Sequence, residues 1–556
     1  MTEQLTSDLL LGRRETRLGR ARTAAALSQA LAFARTHWLA LSFGAVALIG
    51  AAFAFAGLQV SNYWTDELFS LFVADHGGGL QETLNRALTD THPPVYYFFL
   101  NRWIALFGDS EAVTRFPSAV FAVGAVALFV IGARRFYSPA ALAFAAAVAV
   151  TGKFWFFQAQ NIRNYSLCLF LTAAMFAAST WLAHRREEGR STLPPLLVLV
   201  AVGPVLSLSH FYGLLTTGAI YGLVIPRERS LAIRATLVLW GLVVVGLALA
   251  YIHALTTHTQ ENFHELWFRN DLNYILGILR DSWRGAIAGN VQPAIVVMLA
   301  VLLVRPLLAG RQAQATSVDP RPGQIGRFAL LSFFGVYLTG ALICALYTPS
   351  LSGQNMLILS PMVWVLMAWL YDAFTTKLAP RARLGFNILL LALVASELVL
   401  LSGRFFERNE AWRESARYVD ARAACAREPI PAVRPYKFGP DTPFYRSLSQ
   451  RYLFGRYAQA PDRLQIRNPA AFLLPGEDPA LANLLRARLS GQDRCPILAW
   501  VVHDFDIAGA RMIENSMARM LEVDPDRVKM KVFYNAKPGF PKWGLKPTAF
   551  VLERAQ

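Results

Sequence analysis

Asp66 and Glu67 stand side by side in "NYWTDELFSLF", just past the first long apolar run. A carboxylate next to a membrane surface can accept the proton of a hydroxyl nucleophile. It can equally complement the dipole of a helix N-terminus, so local sequence leaves both roles open. Further along, "QNIRNY" brings Gln160, Arg163 and Tyr165 together, with Lys153 shortly before them and Arg115 opening an earlier apolar run. Guanidinium groups bind phosphate oxygens through paired bonds, which makes Arg163 a candidate phosphate clamp and Lys153 a supplementary charge. The plainer alternatives are an arginine snorkelling to lipid headgroups for Arg163 and a structural ion pair with Asp66 or Glu67 for Arg115. His92 in "THPP" and His210 in "LSLSHFYG" are single histidines without metal-ligand spacing. His258, Glu261, His264 and Glu265 form a looser group that leaves room for a divalent metal without indicating one. No cofactor is expected.

Positioning these residues is the task of apolar helices. The chain has 556 residues, 54% hydrophobic and 16% charged, a balance uncommon in soluble proteins. Apolar runs recur at 38–60, 113–131, 139–157, 165–183, 193–209, 211–225, 235–255, 291–304, 328–347, 356–371 and 384–401. A bilayer needs about 20 such residues per helix, so the pattern predicts a polytopic α-helical membrane protein of about 11 spans. Residues 94–107 are too short to span and fit an amphipathic helix in the interface. The net charge of +17 does not point to nucleic acid, because much of the arginine falls in short loops between spans.

The arginine pattern sets an orientation instead. Arg13, Arg14, Arg17, Arg20 and Arg22 hold the N-terminus inside, and the basic loops at 133–135, 185–190, 227–234, 305–327 and 377–383 then fall on the same side. Asp66, Glu67, His92, Arg115, Lys153, Gln160, Arg163, Tyr165 and His210 gather at the opposite face. The expected divisions are a basic N-terminus at 1–37, a membrane module at 38–403 with outer loops 61–112 and 257–290, and an extracytoplasmic α/β domain at 404–556. In that domain "NEAWRESARYVDARAA" reads as a helix, and "CPILAWVVHDFDI" and "TAFVLER" read as strands. Cys168 and Cys344 lie in apolar spans as core residues, while Cys425 and Cys495 in an extracytoplasmic domain are a plausible disulfide. No cleavable signal peptide is expected from the polar, Arg-rich start.

"TDE", "HPPVYYF", "GDSEAVTRFPSAV", "QNIRNYSL" and "LSLSHFYG" follow one another in register. Together they resemble the integral-membrane glycosyltransferases of the GT-C superfold, in the branch of protein O-mannosyltransferases and lipid A aminoarabinose transferases. "AWRESARYV" looks like the start of the periplasmic domain of bacterial members. The resemblance implies a sugar donor carried on a polyprenyl phosphate and an acceptor hydroxyl or phosphate on a lipid A, lipopolysaccharide core, other glycan or protein. It implies a bacterial inner-membrane location with the site facing the periplasm. It assigns Asp66 as catalytic base with Glu67 in support, His92 and Arg115 lining the site, and Arg163 on the donor-phosphate side. One departure stands out: many relatives carry Arg-Tyr in a late span where this chain has Asn355 and Met356 in "SGQNMLILSP".

The mechanism implied is a single displacement with inversion. Adjacent carboxylates on one helical turn do not suit the opposed-face arrangement of a retaining pair. The alternative of a different class is a secondary transporter or a lipid-linked sugar flippase. Transporters place acids within their spans, and here Glu397 is the acid set well inside an apolar run.

Overall fold

The computed structural model describes residues 32, 36–88, 90, 92–258, 269–308, 320–347, 349–402 and 411–422. In the C-terminal region it describes 430–433, 454–457, 464–467, 479–490, 497–501, 519, 522–534 and 547–554. The chain is a helical membrane protein followed by a small mixed sheet. The first helix is α1 (Thr36–Phe55). After it come α2 (Thr65–Val73), α3 (Gly79–Ala87), α4 (Val95–Phe107), α5 (Glu111–Ala133), α6 (Pro139–Val150), α7 (Lys153–Ala159) and α8 (Tyr165–Glu187). They continue with α9 (Leu193–Ser207), α10 (Phe211–Val224), α11 (Leu231–His258), α12 (Leu272–Ala286), α13 (Gln292–Leu308) and α14 (Arg321–Leu346). Last come α15 (Gly353–Met356), α16 (Ser360–Thr375), α17 (Pro380–Ser402) and α18 (Trp412–Asp420).

Among the described residues, seven helices are long and apolar enough to cross a membrane, or up to nine if each of two bent pairs counts as one span. α8 and the α15–α16 segment lie innermost, whereas α1, α11 and α17 leave most of their apolar surface uncovered by protein. An all-round apolar helix with an uncovered face is stable only where lipid covers it. α4, with 13 residues, is too short to span, as its sequence predicts. Asn101 interrupts its apolar run because its amide donates to the Ala74 carbonyl and to Thr83, tying α4 to α2 and α3.

Three elements differ from the sequence expectation. The apolar run 38–60 does not stay helical to its end: α1 stops before Gly57, which takes a left-handed φ of 73°, a conformation glycine adopts without a Cβ penalty. The run 139–157 is broken into α6 and α7, bent by 64°. The break falls at Gly152, where an added Cβ would come within 3.1 Å of the Ala149 carbonyl and 3.3 Å of the Ala286 carbonyl. Residues 257–290, read as a loop, contain α12, which meets α13 at 103°. Ile275, Ile278 and Ser282 give α12 one buried face, while Arg280, Asp281 and Arg284 interrupt the apolar run that would have marked it.

In the C-terminal region, β1 (Ile430–Val433), β2 (Leu464–Arg467), β3 (Ile497–Val501), β4 (Val528–Tyr534) and β5 (Pro547–Arg554) form a sheet in the order β2-β1-β3-β5-β4. β1 runs parallel to β2 and β3, and β5 is antiparallel to β3 and β4. α18 joins this sheet through Tyr418, whose hydroxyl donates to Glu553 at 2.6 Å and whose ring packs edge-on to Phe533.

Candidate active site

The two adjacent carboxylates have opposite surroundings. Successive residues of a helix point about 100° apart, so on the first turn of α2 one is enclosed by protein and the other only partly covered. Glu67 is fully buried. Its Oε1 accepts from Arg115 Nε at 2.8 Å and from the Ile162 amide at 3.1 Å. Its Oε2 accepts from Arg115 Nη2 at 2.6 Å and from the Trp64 amide at 3.2 Å. Asp66 is half-buried. Among the described residues its carboxylate accepts no hydrogen bond, although its charge acts on both Arg163 and Tyr165.

Arg115 is equally committed. Beyond Glu67, its Nη1 donates to the Leu58 and Ser61 carbonyls at 2.8 and 2.7 Å, and its Nη2 to the Asn62 carbonyl at 3.0 Å. A guanidinium has five N–H donors, and these bonds use all of them. Arg115 therefore holds the loop before α2 and has no donor left for a phosphate.

Arg163 is the cation with spare capacity. It opens the approach to α8 and is 7% exposed, so it is enclosed by protein and does not snorkel to headgroups. Its Nη1 donates to Ser70 Oγ at 3.4 Å, and its Nη2 lies 3.3 Å from His92 Nδ1. Both contacts are long. Its Nε is buried and has no hydrogen-bond partner among the described residues.

Around Arg163 lies a cluster of rings and one acid. His92 Nδ1 is also 3.1 Å from Asp90 Oδ2. That nitrogen can donate to the carboxylate or accept from the guanidinium, but not both at once. Tyr97 donates its hydroxyl to the same Asp90 oxygen. Burial alone would raise the Asp90 carboxyl, but the charges of His92 and Arg163 and the bonds from His92 and Tyr97 outweigh it and hold it well below the usual carboxylate range. The rings of His92, Tyr165 and His210 form a triangle with centroids 5.2–6.1 Å apart. His210 Nδ1 accepts from the Tyr212 amide at 3.0 Å, which leaves the proton of a neutral imidazole on Nε2. That Nε2 is buried without a hydrogen-bond partner among the described residues. Tyr165 donates to Gln354 Oε1 at 3.4 Å.

Asp66, His92, Arg163, Tyr165 and His210 therefore come together, with Glu67 and Arg115 directly behind them. Two expected members are placed otherwise. Gln160 donates to the Phe53, Ala54 and Ala56 carbonyls at the end of α1, so its amide is spent on capping a helix. Lys153 begins α7 with an exposed side chain. Asn355 donates to the Ser350 carbonyl at 2.7 Å and also acts on His210, and its neighbour Gln354 accepts from Tyr165.

Sequence reasoning missed Asp90, Ser70, Tyr97 and Gln354. Asp90 had one available signal, an acid two residues before the histidine of "THPP". Its link to Arg163 spans too much sequence to be read from spacing. No group of three or more metal-binding side chains occurs among the described residues. Glu261, His264 and Glu265, and also Cys425 and Cys495, lie outside the described residues.

The family described as Dolichyl-phosphate-mannose-protein mannosyltransferase matches residues 91–255. That stretch carries His92, Arg115, Arg163, Tyr165 and His210, whereas Asp66 and Glu67 of "TDE" lie before it. Solved structures similar to the chain include ArnT from Cupriavidus metallidurans in the apo state, with 15% identity and a TM-score of 0.48 over 93% of this chain and 98% of that one. ArnT from the same organism bound to undecaprenyl phosphate matches over the same shares with a TM-score of 0.49 and 15% identity. The oligosaccharyltransferase of Archaeoglobus fulgidus tethered with an acceptor peptide matches at 10% identity and a TM-score of 0.39, over 93% of this chain and 75% of that one. No curated protein matches the chain.

Proposed function

We propose that the protein is an inverting glycosyltransferase that moves a sugar from a polyprenyl-phosphate donor to an acceptor hydroxyl at the extracytoplasmic face of a bacterial inner membrane. The observation that carries this reading is the split between neighbours among the described residues: Glu67 accepts four hydrogen bonds, two of them from Arg115, while the Asp66 carboxylate accepts none beside a buried arginine whose Nε has no partner. The family match over 91–255 supports a lipid-phosphate-linked sugar as donor.

The chemistry follows from that arrangement. The acceptor oxygen attacks the anomeric carbon as Asp66 takes its proton. The bond from that carbon to the phosphate oxygen breaks, and the lipid phosphate leaves with the electron pair. Its negative charge grows in the transition state, and fixed donors aimed there lower the barrier without reorganising. Arg163 offers Nε and two weakly held Nη groups for this purpose. Asp90 and His92 hold the guanidinium, and His210 Nε2 and Tyr165 border the space beside it, where a sugar hydroxyl would satisfy the unpaired donor. Glu67 and Arg115 act behind Asp66 by fixing the backbone of its turn.

The acceptor class proposed is a lipid A or lipopolysaccharide core, with other glycans and proteins as further candidates. A transporter has less support, because the acid that suggested it has a structural task. Glu397 accepts from the Asn290 amide, where α12 gives way to α13, and so caps a broken helix. The deciding experiment is transfer of radiolabelled sugar from a synthetic polyprenyl phosphate by the purified protein. The wild type is expected to release free polyprenyl phosphate and Asp66→Asn to release none. Release by Asp66→Asn at the wild-type rate would remove the base and the mechanism with it.

A further inference from the structure

The loop before α2 is held in a way that the family resemblance and the match over 91–255 leave unaddressed. Every carbonyl from Leu58 to Tyr63 accepts a hydrogen bond from a side chain. Arg115 takes those of Leu58, Ser61 and Asn62. The others belong to α18, beyond the last helix of the membrane module. Arg413 Nη1 donates to the Gln59 carbonyl at 3.1 Å and the Val60 carbonyl at 3.4 Å, and the buried Trp412 indole donates to the Tyr63 carbonyl at 3.0 Å. Glu414 accepts from the Asn62 amide side chain at 2.8 Å. The Tyr63 amide points at the Tyr457 hydroxyl at 3.4 Å, and that hydroxyl donates to Glu111 at 2.6 Å. Arg413 also pairs with Glu111, and Arg456 pairs with Asp109 at 2.9 Å.

Asp66 lies three residues after Tyr63 in the sequence, on the first turn that this loop launches. An irregular loop has no ladder of its own to fix it. Here the holding of the carbonyls is divided between Arg115 and two residues of the C-terminal region, Trp412 and Arg413. We propose that Trp412 and Arg413 are positioning residues for Asp66, so that the C-terminal helix supplies one half of the cradle that sets the base. Neither residue touches the reacting atoms. Their effect reaches the reaction through the direction of α2, and a small misplacement of a base costs rate far more than it costs binding.

Tyr418, on the same helix, bonds Glu553 of β5 and accepts from Arg422, and among the described residues it makes no hydrogen bond to the loop before α2. Tyr418 therefore serves as a control on the same helix. The experiment uses the full chain in lipid nanodiscs, with two readouts. Amide exchange of 58–67 reads the loop with no substrate present. Transfer kinetics read the base, and this second readout rests on the proposed function.

Trp412→Phe keeps the packing and loses the N–H. It is expected to speed exchange in 58–67 by about tenfold and to leave the α8 segment unchanged. It is expected to lower kcat by about tenfold with the donor KM within about twofold. Arg413→Gln should shift both in the same direction, and Tyr418→Phe should shift neither. Exchange in 58–67 that stays at the wild-type rate in Trp412→Phe would overturn the cradle. So would a Tyr418→Phe change as large as that of Trp412→Phe, or faster exchange with kcat intact. If the loop loosens as expected but the wild type transfers no sugar, the cradle stands and the glycosyltransferase reading falls.

Discussion

At the scale of single residues, Asp66 and Glu67 are chemically near-identical and differ only in what meets them. This difference separates two kinds of loss. Asp66→Asn removes a charge that no hydrogen bond uses among the described residues, so the protein is expected to fold with an unchanged Tm and to lose transfer. Glu67→Gln leaves Arg115 buried with its charge unpaired, and breaking one side of such a pair costs about 3–5 kcal/mol. Its first symptom should be a lowered Tm or a lost yield, read by thermal unfolding in detergent. An unchanged Tm in Glu67→Gln would mean that Glu67 is not the anchor described. Arg163 supplies a second test. Lys keeps its charge but not the fork that reaches Ser70 and His92 together. Arg163→Lys is expected to retain donor binding while lowering turnover by roughly tenfold or more, about 1.4 kcal/mol of barrier. Arg163→Ala should lose both, as measured by donor KM and kcat. The motif residues themselves are legible in the chain. Which of two adjacent acids is free is not, because the answer lies with Arg115 and Ile162, both far from Glu67 in sequence.

At the scale of elements, continuous apolar runs are easy to read because a spanning helix must satisfy its own backbone and present apolar side chains to lipid. The helix at Trp412–Asp420 and the strand at Ile497–Val501 fall within the segments expected for them, and the strand at Pro547–Arg554 begins one residue before its segment. The breaks are harder to read. Gly152 looks like any glycine in an apolar run until α12 is placed against it, and α12 itself carries too many charges to stand out. Gln160 shows the same limit in reverse. Its place in "QNIRNY" suggests a ligand contact, whereas its amide holds the last carbonyls of α1. Gln160→Ala should therefore lower stability by about 1–2 kcal/mol, since hydrogen bonds net about 1 kcal/mol each and the freed carbonyls lose their partner. The donor KM should stay where it is. A raised KM with an unchanged Tm would return Gln160 to the binding site.

At the scale of the whole molecule, the proposed function requires Asp66, Arg163 and the C-terminal region to share one side of the membrane. A polyprenyl phosphate keeps its tail in the bilayer and its phosphate at the interface, so a base reached by an extracytoplasmic acceptor must open on that side. The arginine distribution supports this orientation, because basic loops are retained in the cytoplasm. The connection between α2 and α3 carries exposed His76, just past the helix that bears the base, and the connection between α8 and α9 carries exposed Arg190, in one of the basic loops. In a background without the native cysteines, His76→Cys should react with a membrane-impermeant maleimide added to intact spheroplasts. Arg190→Cys should react only after the membrane is opened. The pair is chosen so that each controls for the other: both positions are exposed, so a difference in labelling reports the membrane and not burial. If Arg190→Cys labels in intact cells while His76→Cys does not, the orientation is inverted. Asp66 would then face the cytoplasm, and the case for a lipid-carried donor, which rests on a site beyond the reach of nucleotide sugars, would go with it.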